Sequence, residues 1–311
     1  MPLHIDYRPN DFDQVIGNTS TIKSMLTILE RENKDFPHAI MLHGPRGTGK
    51  TTLAYIWAKH LGCPPEIKKG ETNIDFREID TAQQTGVDTA RDIRGEIRYR
   101  PINSDVRVYL LDECHKMSPA FQNGMLKATE KPPSFVYFIL CTTEPNKIIP
   151  TLTSRCMKFA TEKASDIDLQ NLALDIFESE GLINISSDIL NALVKSADGA
   201  PRELLINMDK ILDLDPDEMM EAIIQVDQQQ VIDLCRALIK KQPWSAIAQI
   251  LQGIKDNPEQ VRLAVMGYMS TVLLNNDRLD SHALLIMNCF KDPNFNNGKP
   301  GLVTACAEVY I

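Results

Sequence analysis

Two apolar spacings alternate over the first half of the chain. Thr19 to Arg31 places Ile22, Met25, Leu26 and Leu29 at three- and four-residue intervals, which predicts a helix with one buried face. Ala39-Ile40-Met41-Leu42 is a continuous apolar run, the mark of a short strand buried on both sides. Helical spacing returns over Thr52 to Leu61 and is closed by Gly62 and Pro64. Glu66 to Asn73 is a polar connection, and Ile74 to Ile79 alternates as a strand. The same logic predicts a helix over Asp88 to Tyr99, a buried strand over Val106 to Leu111, and a helix over Pro119 to Glu130. A buried strand over Phe135 to Cys141 and a short one at Met157-Lys158-Phe159 follow. Strands separated by helices predict an α/β domain, a parallel sheet with helices on both faces.

From Ala164 onward the strand pattern disappears. Helices are predicted over Asp166 to Glu180, Ser186 to Ala197 and Pro201 to Asp213, with breaks at Gly181 and Gly199 and a further short helix opening at Asp215-Pro216. A last all-helical block covers Gln228 to Lys241, Trp244 to Lys255, Pro258 to Asn275, Ser281 to Phe290 and Gly301 to Ile311, with Lys291 to Pro300 rich in turn residues. The expected domains are therefore 1–160, 161–226 and 227–311.

Composition narrows the class. The hydrophobic share of 43% is ordinary for a globular chain and allows a sizeable core. No apolar run nears the roughly 20 residues of a membrane span, and Met1 to Asn10 has no apolar signal core. The expected location is the cytoplasm, with no membrane partner. The seven cysteines are scattered without a Cys-x-x-Cys pair, so neither a disulfide framework nor a zinc site is expected. The formal net charge of −9 argues against binding nucleic acid over the whole surface, because phosphate contacts need local positive charge. It leaves room for one basic face or tunnel, and for acidic and basic faces that meet in an assembly.

The chemistry concentrates after the first strand. Gly44-Pro45-Arg46-Gly47-Thr48-Gly49-Lys50-Thr51 fits the phosphate-loop template of Gly, four residues, then Gly-Lys-Ser/Thr. Glycines let the backbone curl round a phosphate chain with its N–H groups inward. Lys50 adds charge for the outer phosphates, and the Thr51 hydroxyl suits a magnesium ion. The helix beginning near Thr52 turns its positive dipole end to the anion. The strand Val106 to Leu111 ends in Asp112-Glu113. The first carboxylate suits the metal through water, and the second suits an attacking water. Ligands gather at the C-terminal ends of such strands, where Thr143 also falls. On the helix Asp88 to Tyr99, Arg91, Arg94 and Arg98 share one face and Asp88, Asp92 and Glu96 another. That pattern suits a stripe that tracks phosphates or a solvated helix with internal ion pairs, and spacing alone does not choose. His115 beside Glu113 is expected to have no part in the chemistry, and Trp57 and Trp244 are expected in the core.

Taken together these motifs resemble the ATPase subunits of sliding-clamp loaders, most closely the gamma/tau subunit of bacterial DNA polymerase III. Tyr7-Arg8-Pro9 with Phe12 and Val15-Ile16-Gly17 resembles the family's N-terminal box, which borders the adenine. Val108 to His115 resembles its magnesium strand, and Leu126 to Pro133 its following helix and turn. Ser154-Arg155-Cys156 is its most specific signature, and Gly199-Ala200-Pro201-Arg202 stands where its second sensor arginine lies. The resemblance is dense over Met1 to Asp213 and faint beyond. Two features depart from the pattern: only Cys63 lies where the bacterial subunit carries a four-cysteine zinc module, and the C-terminal helical block is short.

The resemblance implies an AAA+ P-loop ATPase domain, a helical lid and an all-helical collar. It implies ATP and Mg2+ as cofactors and no zinc. ATP would be held by Arg8, Val15, Ile16, the loop from Gly44 through Pro45, Arg46, Gly47, Thr48, Gly49, Lys50 and Thr51 to Thr52, and by Asp112 and Arg202. Thr51 and Asp112 would serve the metal. The implied catalytic set is Lys50, Glu113, Thr143 placing the water, Arg202 on the γ-phosphate and Arg155 completing a neighbour's site. Implied partners are a sliding clamp, primer–template DNA and other loader subunits in a pentamer, in a bacterial or phage-infected cytoplasm. Rival classes are a Holliday-junction translocase, a helicase loader, or a non-hydrolysing structural subunit of a loader.

Overall fold

The computed structural model describes residues 2–31, 36–68, 70–182, 185–254, 258–275, 280–293 and 298–310. In chain order the first elements are α1 (Leu3–Asp6), α2 (Thr19–Leu29), β1 (Ala39–His43), α3 (Lys50–His60), β2 (Glu66–Lys68), β3 (Glu71–Thr72) and β4 (Phe76–Asp80). Then come α4 (Val87–Glu96), β5 (Arg107–Asp112), α5 (Pro119–Glu130), β6 (Val136–Thr142), α6 (Pro150–Thr153) and β7 (Met157–Ala160). The helices α7 (Asp166–Ser179), α8 (Ser187–Ala197), α9 (Pro201–Asp209), α10 (Pro216–Ile239), α11 (Trp244–Gly253), α12 (Pro258–Asn275), α13 (Ser281–Cys289) and α14 (Gly298–Glu308) complete the chain. The chain divides into two compact units, Met1–Asp213 and Leu214–Ile311.

The first unit is built on a five-stranded sheet in the order β4-β5-β6-β1-β7. Each neighbouring pair runs parallel, as expected where helical crossovers join apolar runs. Side chains alternate between the faces with period two. Ile40, Leu42, Val108, Leu110 and Ile139 pack on one face with Leu53, Ile56 and Trp57 of α3 and Met25 of α2. Met41, Tyr109, Leu111, Phe138 and Leu140 pack on the other with Ile93 of α4, Phe121 and Met125 of α5 and Leu152 of α6. Both faces are covered, which is why β6 is buried along its whole length. Trp57 is in this core, as its helix face predicted; Trp244 is partly exposed and meets Tyr310 edge to face.

A buried carboxylate shapes the approach to β5. Asp75 is fully buried and accepts backbone N–H bonds from Ile102, Asn103 and Ser104, and its Oδ1 lies 3.1 Å from Arg107 Nη2. One charge thereby satisfies three amides of a loop that has no regular structure to satisfy them.

Several elements depart from the apolar spacing. The polar connection Glu66 to Asn73 contains an antiparallel two-stranded hairpin, β2–β3, too short to carry a period. The helix predicted over Asp88 to Tyr99 ends at Glu96 with Ile97 as its C-cap, so Arg98 lies beyond it. The break predicted between Asp215 and Gln228 does not exist: α10 runs unbroken from an Asp215–Glu218 capping box to Ile239, because no glycine or proline interrupts that stretch. The predicted extensions to Lys255 and Ile311, and part of the turn-rich Lys291 to Pro300, lie outside the described residues.

The second unit is helical. Leu234 and Leu238 of α10, Ile247 and Leu251 of α11, Val265 and Met269 of α12, Ile286 of α13, and Leu302 and Cys306 of α14 share its core. Arg262 and Glu259 form a buried pair at 2.6 Å, and Arg262 also donates to the carbonyl of Phe290, which ties α12 to the end of α13. No helix among the described residues is long and apolar enough to cross a membrane.

Candidate active site

The loop between β1 and α3 is shaped by what presses against it. Gly44 N–H donates to the Thr142 carbonyl at 3.2 Å, continuing the β1–β6 pairing by one residue. A Cβ at Gly44 would lie 2.1 Å from the Thr161 carbonyl oxygen, so only glycine fits. Gly47 and Gly49 have φ of +77° and +90°, the left-handed region that side chains disfavour. Thr48 closes the turn by donating to the Pro45 carbonyl at 2.8 Å, and its hydroxyl lies 2.7 Å from that of Thr161. Pro45 and Arg46 are exposed at the loop tip. The loop delivers Lys50, Thr51 and Thr52 into the first turn of α3, whose free N–H groups make a ready anion site.

Lys50 is buried and donates to the carbonyls of Gly44 and Pro45 at 2.9 and 2.6 Å. Burial pushes its ammonium below the usual range, and Glu113 and Asp112 nearby oppose that shift. Thr51 Oγ1 donates to Asp112 Oδ2 at 3.0 Å. The two predicted metal-side residues are therefore in contact, and their oxygens are the hard donors that Mg2+ prefers. Asp112 Oδ1 accepts the Glu113 N–H at 2.8 Å, and Glu113 has φ of +51°. Thr81, fully buried just past β4, donates to the carbonyls of both Asp112 and Glu113. Sequence reasoning missed Thr81, because it lies two residues past the predicted strand with no motif of its own.

The N-terminal box comes to the same place. Arg8 donates to Thr52 Oγ1 at 3.3 Å and lies 4.1 Å over the Tyr55 ring. Val15 packs against the core on the α3 side of the sheet, and Ile16 is half-buried. Asn18 bridges the loop to the chain beyond β7, donating to the Thr48 carbonyl and accepting the Glu162 N–H.

The helices beyond the sheet reach the loop as well. A Cβ at Gly47 would meet the Ala200 Cβ at 2.8 Å, so the cap of α9 rests on the loop tip. Arg202 follows in the first turn of α9, exposed and without a side-chain partner among the described residues. Thr143 is half-buried past the end of β6, also without a side-chain partner among them. Its neighbour Thr142 turns inward instead, where its hydroxyl meets His115 and the Glu144 N–H.

Arg155, just past α6, donates to the Thr151 carbonyl and lies 3.6 Å from Glu130. The α4 arginines sit in three different settings. Arg91 is paired with Asp88 at 2.8 Å, although these two were expected on separate faces. Arg94 is half-buried, its Nε without a partner, and Arg98 lies past the helix end. A three-residue offset brings side chains together on a helix as readily as four does, and that is how Asp88 reaches Arg91.

Residues 18–165 match the family described as DNA polymerase III, delta subunit. The chain is 32% identical over 293 residues to the DNA polymerase III subunit tau of Bacillus subtilis, covering 88% of this chain and 51% of that protein. It is 35% identical over 213 residues to the DNA polymerase III subunit gamma of Buchnera aphidicola, covering 64% of this chain and 58% of that one. The chain belongs to the gamma/tau-like subunits of DNA polymerase III. It spans only about half the length of these gamma/tau relatives. Among solved structures, the Thermotoga maritima RuvB Holliday junction branch migration motor matches with a TM-score of 0.57 at 18% identity, covering 75% of this chain and 79% of that one. At that identity the likeness establishes the fold alone. This gamma/tau-like chain has an AAA+ P-loop architecture, a parallel sheet flanked by helices and followed by a helical region.

Proposed function

We propose that this chain is the ATPase subunit of a sliding-clamp loader, in which ATP binding opens and places a clamp on primer–template DNA and hydrolysis releases it. The observation that carries the reading is the Thr51–Asp112 contact beneath the Gly44–Gly49 loop, with Glu113 next in chain, in a gamma/tau-like protein. Lys50 leaves the two loop carbonyls for the outer phosphates, and the α3 N-terminus faces them. Thr51 and Asp112 would hold Mg2+, which supplies charge neutralisation on the phosphate oxygens. Glu113 polarises water, Thr143 orders it, and Arg202 reaches the γ-phosphate from the lid.

Arg155 acts in trans, its Thr151 and Glu130 contacts giving way when a neighbouring subunit docks. Residues 1–160 bind nucleotide, 161–226 form the helical lid, and 227–311 form the collar of a pentameric assembly working in a bacterial or phage-infected cytoplasm. No zinc is needed. Cys63 is the one thiol where the resemblance would place a four-cysteine zinc module, and a structural zinc takes four ligands. An intact Lys50, Asp112 and Glu113 favour hydrolysis over a structural role.

The test is Glu113→Gln. The amide keeps the shape and removes the base, so ATP affinity stays as in wild type while turnover falls by about 10²- to 10⁴-fold. Turnover at the wild-type rate in the assembled complex would sink the assignment.

A further inference from the structure

Next to Glu113 stands a side chain that the reading above leaves unused. His115 lies in the short helical turn Cys114–Lys116, and its side chain is 7% exposed. Nδ1 lies 3.3 Å from Glu113 Oε2 and 3.2 Å from Thr142 Oγ1, and Nε2 lies 3.5 Å from Glu144 Oε1. A histidine that merely fills a core needs one backbone partner. This ring instead presents both nitrogens to carboxylates.

The ring's anchor is rigid. Thr142 is the fully buried last residue of β6, its carbonyl accepts the Gly44 N–H, and its hydroxyl accepts the Glu144 N–H at 3.0 Å. The backbone of Glu113 is also held: φ is +51°, and its carbonyl accepts the Thr81 hydroxyl at 2.8 Å. What remains free is the Glu113 side chain, which is 38% exposed. A long carboxylate side chain left to itself spreads over several rotamers, whereas a base must lie within hydrogen-bond reach of the proton that it takes.

We propose that His115 is a positioning residue: by holding Oε2 of Glu113 against the end of β6, it leaves Oε1 in place to polarise water. The arrangement has the logic of a base oriented by a third group. The proposal rests on the reading of Glu113 as the hydrolytic base. It also links the phosphate loop to that base, since Gly44 and His115 bond to the same residue, Thr142.

The test compares four variants in the assembly that hydrolyses ATP, measuring kcat, KM, nucleotide affinity and thermal melting. H115A is expected to lower kcat about tenfold through lost side-chain ordering, with nucleotide affinity unchanged. H115N, whose amide nitrogen takes the place of Nδ1, is expected to recover most of that loss. H115Q, whose amide reaches the Nε2 side, is expected to recover little. In the E113Q background H115A should add no further loss, because a residue acting through Glu113 is silent without it. Wild-type kcat in H115A beside an inactive E113Q would overturn the role of His115 and leave the ATPase reading standing. Full turnover in E113Q would overturn the Glu113 assignment itself. If H115A fails to fold, the amides decide: equal kcat in H115N and H115Q overturns the proposal.

Discussion

Asp75 illustrates how one residue can set a whole loop. Its carboxylate is out of solvent, yet it satisfies three amides and the Arg107 guanidinium. Burial pushes its pKa up, but the bonds from Asn103, Arg107, Ile102 and Ser104 outweigh that, and the net shift is below the usual carboxylate value. A pKa lower in the folded than in the unfolded state adds stability above the unfolded value, about 3.9. That stability is lost as pH falls through the folded value. Asp75→Ala strands three amides and a half-buried guanidinium, so it should cost about 3–5 kcal/mol in denaturant unfolding. The deficit should shrink below about pH 4, where wild type loses the same contribution. A deficit that persists unchanged down to pH 2 would show that the charge is not what matters.

Among elements, the phosphate loop and the cap of α9 meet where no side chain intervenes. Gly47→Ala places an alanine at a φ of +77° and presses its Cβ to 2.8 Å from that of Ala200. The backbone part costs about 1–2 kcal/mol, and the rest is steric. The variant should bind ATP more weakly in a nucleotide titration. Adding Ala200→Gly should recover the steric part and leave the backbone part. If the second change recovers nothing, the lid does not touch the loop in solution.

Helix α4 makes a different prediction. Arg91 is tied to Asp88 by an exposed pair, of the kind worth little, so DNA phosphate would displace Asp88 at small cost. Replacing Arg91, Arg94 and Arg98 together by alanine should weaken primer–template binding about equally for all sequences. It should also lower the salt slope by about one unit per lost contact. Because Arg94 is half-buried, Arg91 and Arg98 should account for most of the change. Wild-type affinity and slope in the triple variant would make this a solvated surface.

For the molecule as a whole, a net charge of −9 means that any grip on DNA must come from a local basic surface in an assembly. On the proposed reading, assembly also decides what Arg155 does, since within one chain it contacts Thr151 and Glu130. Arg155→Ala should bind ATP normally and abolish turnover only at the neighbouring subunit's site, as an arginine supplied in trans does. Mixing mutant and wild-type subunits checks this. Lost hydrolysis at the mutant's own site, with a wild-type neighbour beside it, would contradict the trans role.

The sheet, its covering helices and the loop Gly44 to Thr51 were legible in the residues themselves, because period, breakers and the glycine spacing are local signals. The Thr51–Asp112 pair was legible for the same reason: a phosphate loop and a strand ending in carboxylates each announce themselves, and a parallel sheet has only one end at which they can meet. Tertiary structure alone decided the rest. Thr81 and Thr142 carry no motif, and His115, the last residue of one, was expected to play no part; their contacts arise because three strand ends converge near Glu113. The Asp88–Arg91 pair, an alternative that spacing left open, and the end of α4 before Arg98 were likewise settled by packing and capping. The unbroken α10 was missed for the opposite reason: the stretch was read as a short helix opening at Asp215-Pro216 and a second one from Gln228, but a helix continues wherever no glycine or proline stops it.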